Sequence, residues 1–274
     1  MVKRLLLRSV EGIANRFNDI IYKSPKDVTY NTHNRHIVCY FGGDIQDLKD
    51  NMCDNNEENV GFVDFCLENV TDLLADRFTS SHVFVIRANR FGSKTYAIYD
   101  NFVDSNSFGC PKHCFTKESL IHFRLLLLNC FNQLNLDFRL EKDNKLTIIG
   151  FSKGCVVLNQ FLYSFCLSLE DINLKDMIST ISDMYWLDGG HSGSANTWIT
   201  AEPVLKNLAE LQIQVHINVT PYQVMCPLRT WVAKEENLFF NTLTRFGGKV
   251  QRVLHFADED KSLKMHFNVL KHFI

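Results

Sequence analysis

A chain of 274 residues is long enough for one large domain with a sizeable core. Hydrophobic residues make up 46% and charged residues 22%, which excludes a disordered chain, and a net charge of −2 supplies no basic field for nucleic acid. Nine cysteines lie scattered without a C-x-x-C pair, which speaks against a disulfide framework or a zinc site. Cys39, Cys66, Cys130, Cys155 and Cys166 fall in apolar stretches and read as reduced core thiols. Cys110 and Cys114 have no second ligand pair nearby, so no metal or cofactor is expected. No apolar run is long enough to cross a bilayer.

From the amino terminus, Met1 to Tyr22 reads as a helix, with Lys3, Arg4, Arg8 and Arg16 around an apolar stripe, until Ser24-Pro25 breaks it. Such a segment has the look of a weak mitochondrial presequence, against which Glu11 and Asp19 count. Residues 1–34 are therefore set apart from one domain over 35–274. Arg35 to Tyr40 is a strand that runs into the turn Phe41-Gly42-Gly43-Asp44. Val60 to Phe78 repeats apolar residues at helical spacing, and His82 to Ala88 is the next strand. Arg90 to Pro111 is a long polar and aromatic connection, of a kind that often serves as a lid or binding loop. Phe115 to Leu134 is helical, with Thr116 as N-cap.

The centre of the chain is Lys145–Phe161. Leu146 to Ile149 is the apolar, β-branched run of a strand covered on both faces, and Gly154 to Leu169 is dense enough in apolar residues for a buried helix. Between them, Gly150-Phe151-Ser152-Lys153-Gly154 fits G-x-S-x-G. In that motif a serine on a sharp strand-to-helix turn lifts its hydroxyl above the sheet, and the glycines let strand and helix pass closely. Beyond it, Met184 to Leu187 is a strand ending in Asp188-Gly189-Gly190-His191. Thr200 to Leu211 is a helix, Ile213 to Val219 a strand, Arg229 to Phe246 a helix stopped by Gly247-Gly248, Val250 to Phe256 a strand and Met265 to Phe273 the last helix. Alternating strands and helices predict an α/β domain, with a mostly parallel sheet and helices on both faces.

Active sites in such sheets lie beyond the carboxyl ends of the strands. A serine needs a base, and the base an orienting acid. His266 stands after the last strand, where this type of site carries its base, whereas His255 lies within the strand. No carboxylate follows the next-to-last strand before Glu235. The acid therefore falls to Asp188 at the end of the strand before it, with Asp258 and Asp260 as alternatives. His191 is placed to back the site or touch substrate. For the oxyanion, one amide belongs to Lys153, and the other to the Gly42-Gly43-Asp44 turn, with Gly43 favoured.

These segments resemble the α/β-hydrolase superfamily and, more narrowly, the animal family named after chromosome 2 open reading frame 69. The resemblance is carried by R-H-I-V-C-Y-F-G-G-D (35–44), Y-D-N-F-V-D-S-N-S-F-G (99–109), I-I-G-F-S-K-G-C-V-V-L-N-Q (148–160), M-Y-W-L-D-G-G-H-S-G (184–193), V-T-P-Y-Q-V (219–224) and M-H-F (265–267). It implies a serine, an aspartate and a histidine at Ser152, Asp188 and His266, a hydrolase-like fold, and a mitochondrial (matrix) location rather than a cytoplasmic one; the short segment between Asp188 and Thr200 leaves no room for a large cap domain. Gly42 departs from the family pattern, which has proline there, and a polar insertion before the nucleophile strand is nearly absent. Two functions follow as expectations. One is a serine hydrolase cleaving a small acyl or lipid-like ester or thioester through an acyl-enzyme. The other is a non-catalytic module of the same fold that binds a protein partner. A nucleotide-binding protein is disfavoured, because neither G-x-G-x-x-G nor a P-loop follows the first strand.

Overall fold

Residues 4–26, 36–55, 60–141, 144–168 and 170–273 are described by a computed structural model. The expectations for residues 1–3, for Arg35 and for Leu169 fall outside them. Eight described strands form one sheet: β1 (Leu5–Glu11), β2 (Phe17–Lys23), β3 (His36–Phe41), β4 (Ser81–Ile86), β7 (Lys145–Phe151), β8 (Ile181–Leu187), β9 (Gln214–Val219) and β10 (Val250–Leu254). Their order across the sheet is β1-β2-β4-β3-β7-β8-β9-β10. From β4 to β10 all neighbours are parallel, while β2 runs antiparallel to both β1 and β4. Strands β5 (Arg90–Gly92) and β6 (Tyr96–Ile98) make a separate hairpin.

The period-2 alternation of strand side chains divides the core in two. Ile37, Cys39 and Phe41 of β3 pack on one side with Ile148, Trp186 and Ile217. That side is covered by helices α3 (Glu118–Gln133), α4 (Cys155–Ser168), α5 (Ile172–Thr180), α6 (Glu202–Glu210) and α7 (Thr230–Arg245). Val38 and Tyr40 face the other side with Val83, Val85, Ile149 and Leu187, under helices α2 (Leu67–Arg77) and α8 (Leu263–His272). A further short helix, α1 (Lys49–Asn55), precedes α2. Because β7 is buried along nearly its whole length, its sequence is continuously apolar rather than alternating.

The amino terminus corrects the expected helix over residues 1–22: it is a hairpin, β1 and β2, joined to the sheet edge. Gly12 and Asn15 explain the difference. The Gly12 amide closes on the Arg16 carbonyl at 2.9 Å, and Asn15 takes a left-handed φ of 66°. Both are turn residues that a helix interior disfavours, and the Ile20-Ile21-Tyr22 run beyond them suits a strand. Leu5 and Leu6, on opposite faces of this edge strand, are both exposed, and Val10 is the one fully buried residue of β1. The segment read as a presequence is thus part of the sheet.

Other differences are smaller. The helix expected over 60–78 begins with a separate turn at Val63–Phe65 and resumes at Leu67. Helix α3 starts at Glu118 rather than Phe115, and the Thr116 hydroxyl accepts the Glu118 amide at 3.2 Å. Helix α5 was not anticipated; Asp171 caps it by accepting the Asn173 and Leu174 amides. The long connection after β4 is ordered by the β5–β6 hairpin and a bridge between Ser105 and Pro111. All nine cysteines are free thiols, four of them (Cys39, Cys66, Cys130, Cys155) buried.

Candidate active site

Register brings the site together. Phe41 pairs with Gly150, Phe151 with Leu187, Leu187 with Asn218 and Leu254 with Val219, so β3, β7, β8, β9 and β10 end level with one another. The residues that follow these ends, Gly42–Asp44, Ser152, Asp188, Thr220 and His255, therefore share one rim.

Ser152 sits at the sharp turn between β7 and α4 with φ 51°, a left-handed conformation that a non-glycine residue holds only at a cost of about 1–3 kcal/mol. Close approach pays for nothing else here: a Cβ on Gly154 would lie 2.0 Å from the Phe41 carbonyl oxygen, and one on Gly43 would lie 2.7 Å from the Ser152 Cβ. No side chain fits at either position. Below the serine, the Cys155 thiol donates to the Gly150 carbonyl at 3.2 Å, and burial pushes its pKa up. It is an inert filler of the elbow rather than a second nucleophile.

Asp188 is fully buried and also has a left-handed φ, of 47°. Its carboxylate accepts three hydrogen bonds: from the Thr220 amide (2.7 Å), the Thr220 hydroxyl (2.7 Å) and His266 Nδ1 (2.6 Å). A carboxylate so partnered fixes the ring's tautomer, with the hydrogen on Nδ1 and the lone pair on Nε2. The imidazole contacts the rings of Phe151, with centroids 4.6 Å apart, and Tyr222, at 5.1 Å, both tilted against it. Both His266 and Ser152 line one cavity of about 300 Å³, together with Asp44, Tyr96, His191, Tyr222, Gln223 and Arg229. The alternatives are engaged or exposed: His255, though on the same rim, meets Asn218 Oδ1 through Nε2 at 2.8 Å, and Asp258 and Asp260 are exposed.

The oxyanion turn differs from expectation at one amide. The Gly43 N–H is committed to Gln46 Oε1 at 2.9 Å, an oxygen that also accepts the Tyr40 hydroxyl at 2.7 Å. Gln46 is thereby locked, its amide nitrogen donating to the Phe65 carbonyl at 2.9 Å. The Asp44 amide, by contrast, makes no hydrogen bond among the described residues. Gly42 holds the turn from behind, its carbonyl accepting the Tyr99 hydroxyl at 2.9 Å. Gln46 is a residue that sequence reasoning missed; a polar residue three positions beyond a Gly-Gly turn was the available signal.

The Lys153 side chain is another. It is fully buried, donates to the Phe108 carbonyl at 2.8 Å and stands 3.6 Å from Asp44. Burial lowers its pKa and raises that of Asp44, and each is held back by the other's charge. Asp44 also accepts the Ala97 amide at 2.8 Å. One ion pair thus ties the elbow to the oxyanion turn and to the aromatic connection. His191 accepts the Gly193 amide on Nδ1 at 2.9 Å, and burial drives its pKa down to about 4, so at neutral pH it is an uncharged donor through Nε2. Among the described residues no group of three or more His, Cys, Asp or Glu side chains is arranged to hold a metal ion, and no helix is long and apolar enough to cross a membrane.

A model of the C2orf69 family matches residues 6–144 and 135–249. The chain belongs to the C2orf69 family. It is 37% identical to the mitochondrial protein C2orf69 of Homo sapiens, over 86% of this chain and 73% of that protein. With the Danio rerio homologue it shares 37% over 98% of this chain and 85% of the relative. The relatives' name supports the expected mitochondrial location. Among solved structures, esterase Est22 with p-nitrophenol superposes with a TM-score of 0.53 at 12% identity, covering 99% of this chain and 77% of that one. An acylaminoacyl peptidase from Pyrococcus horikoshii gives 0.53 at 13%, over 99% of this chain but only 39% of its own length. These likenesses establish the α/β-hydrolase fold.

Proposed function

We propose that this member of the C2orf69 family is a serine hydrolase of the mitochondrial matrix, cleaving a small ester or thioester through an acyl-enzyme. The observation that carries the reading is the 2.6 Å contact of His266 Nδ1 with a buried Asp188, on a ring that lines the same cavity as Ser152. Ser152 Oγ attacks the acyl carbon while His266 Nε2 takes its proton. The amides of Lys153 and Asp44 receive the oxyanion, and Asp188 stabilises the imidazolium. His266 then returns the proton to the leaving alcohol or thiol, and a water molecule, activated by the same nitrogen, releases the acid. A cavity of about 300 Å³ favours a short acyl group. The aromatic connection contributes Tyr96 to its wall.

The second reading, a binding module without turnover, is favoured by the Gly43 amide being taken up by Gln46. A fluorophosphonate probe separates the two. Labelling of the wild type that disappears in Ser152→Ala supports the hydrolase; folded wild-type protein that never labels supports the module.

A further inference from the structure

The cavity around Ser152 has two cationic neighbours of opposite standing. Lys153 is neutralised by Asp44 and lies behind the wall. Arg229 lines the cavity itself, at the end of the turn Pro227–Arg229. No carboxylate among the described residues lies within ion-pair distance of its guanidinium. Its neighbours are the Tyr222 ring, with the guanidinium carbon 5.9 Å from the centroid, and the Cys226 thiol. The Tyr222 ring in turn contacts the His266 imidazole, so Arg229 is one ring away from the expected base. Across the same cavity stands His191, 5% exposed, whose Nε2 makes no well-formed hydrogen bond among the described residues, the Asn196 carbonyl acting on the ring only weakly. Its Nδ1 is an acceptor for the Gly193 amide, so Nε2 is an N–H donor. A cation without a counter-ion among the described residues and a buried donor without a well-formed hydrogen bond are both suited to the same thing: an anion.

We propose that the substrate carries an anionic group, a carboxylate or a phosphate, held by Arg229 with His191 as a second donor while Ser152 acts on the ester a few bonds away. This deepens the hydrolase reading and rests on it for the reaction, though not for the binding. Asp44, the one carboxylate that lines the cavity, is occupied by Lys153 and the Ala97 amide, so it does not compete for Arg229. The small cavity keeps the anion near the reacting carbonyl.

Two pairs of esters test this: p-nitrophenyl hemiglutarate against p-nitrophenyl pentanoate, and 1-butyrylglycerol 3-phosphate against monobutyrin. The wild type should prefer one charged member by about tenfold or more in kcat/KM, through KM, since charge-assisted hydrogen bonds are the stronger kind. The pair that shows the preference identifies the anion. In R229Q the ratio should fall to about one, R229K should keep part of it, and 0.5 M salt should shrink it in the wild type. Calorimetry on S152A with glutarate and glycerol 3-phosphate reads the site without turnover, and binding should weaken about tenfold or more in S152A/R229Q. Equal use of charged and neutral esters, or anion binding indifferent to Arg229, overturns the proposal and leaves the hydrolase standing. Arg229-dependent binding with no hydrolysis of any ester keeps the anion site and removes the hydrolase.

Discussion

The two ends of the sheet hold polar residues for different purposes. At the antiparallel edge, His122 Nδ1 accepts the Ile13 amide at 3.1 Å and its Nε2 meets Asn18 Oδ1 at 3.0 Å, which straps the first hairpin onto helix α3. At the parallel centre, His266 and Ser152 line a cavity with Asp188 buried behind the imidazole, and Ser152 and Asp188 are in left-handed backbone. Both sites bury a histidine with its tautomer set by its partners. The edge satisfies both ring nitrogens and is closed; the centre leaves one nitrogen facing space. An imidazole with two partners holds a structure, whereas one with a free lone pair can take a proton.

Substitutions can break that contrast. The largest effect is expected for Ser152→Ala, which should lower hydrolysis of a short p-nitrophenyl ester by about 10³-fold or more. Its melting temperature should stay the same or rise, because only a hydroxyl on a strained residue is lost. Asp188→Asn should lower the rate about 10²–10⁴-fold and also destabilise the fold by about 2–3 kcal/mol, since a neutral amide cannot accept three hydrogen bonds equally well. Denaturant melts alongside the rate assay check both halves. His122→Ala should cost about 2–3 kcal/mol in the same melts, by leaving the Ile13 amide unpaired and a void, yet leave kcat unchanged. A large fall in kcat with intact stability would show that the edge communicates with the centre.

The pH dependence of stability sharpens the same comparison. Burial lowers the pKa of His122 and His191 from 6.5 to about 4, so the folded chain binds fewer protons than the unfolded chain in that interval. Stability should therefore be full above about pH 6.5, fall as the pH drops toward 4 and level off below it, by roughly 3 kcal/mol per histidine. Melts between pH 7.5 and 4.5 should show this, with a shallower slope in His122→Ala. The smallest effect is expected at the exposed Arg4–Asp72 pair, where Arg4→Ala should change stability by less than about 1 kcal/mol, because both side chains are partly in water.

Much of the centre was legible because its constraints are local. The strand, the serine turn and the buried helix are adjacent in sequence, and Gly150 and Gly154 stand where backbone meets backbone. Asp188 could be chosen because it directly follows an apolar strand, and His266 because it follows the last one. The edge was not legible, since Leu5 to Tyr22 carries an apolar pattern that fits a helix stripe as well as a hairpin. Only pairing of β2 with β4, some sixty residues on, decides between them. For the same reason the buried Lys153 side chain escaped notice, since its partner is the distant Phe108 carbonyl, while Gln46 combines local partners, Gly43 and Tyr40, with the Phe65 carbonyl that the fold brings in.

By itself, then, the sequence determined the alternation of strands and helices from β3 onward and the sharp strand-to-helix turn at Ser152, and it nominated Ser152, Asp188 and His266 for the proposed chemistry. The tertiary structure alone decided that Gln46 is held in place from Phe65, that Asp44 neutralises Lys153, and that Arg229 has no counter-ion among the described residues. Glycine sterics and apolar period act between neighbours along the chain. Charge compensation and hydrogen-bond satisfaction act between neighbours in space, and the register of five strand ends sets who those neighbours are.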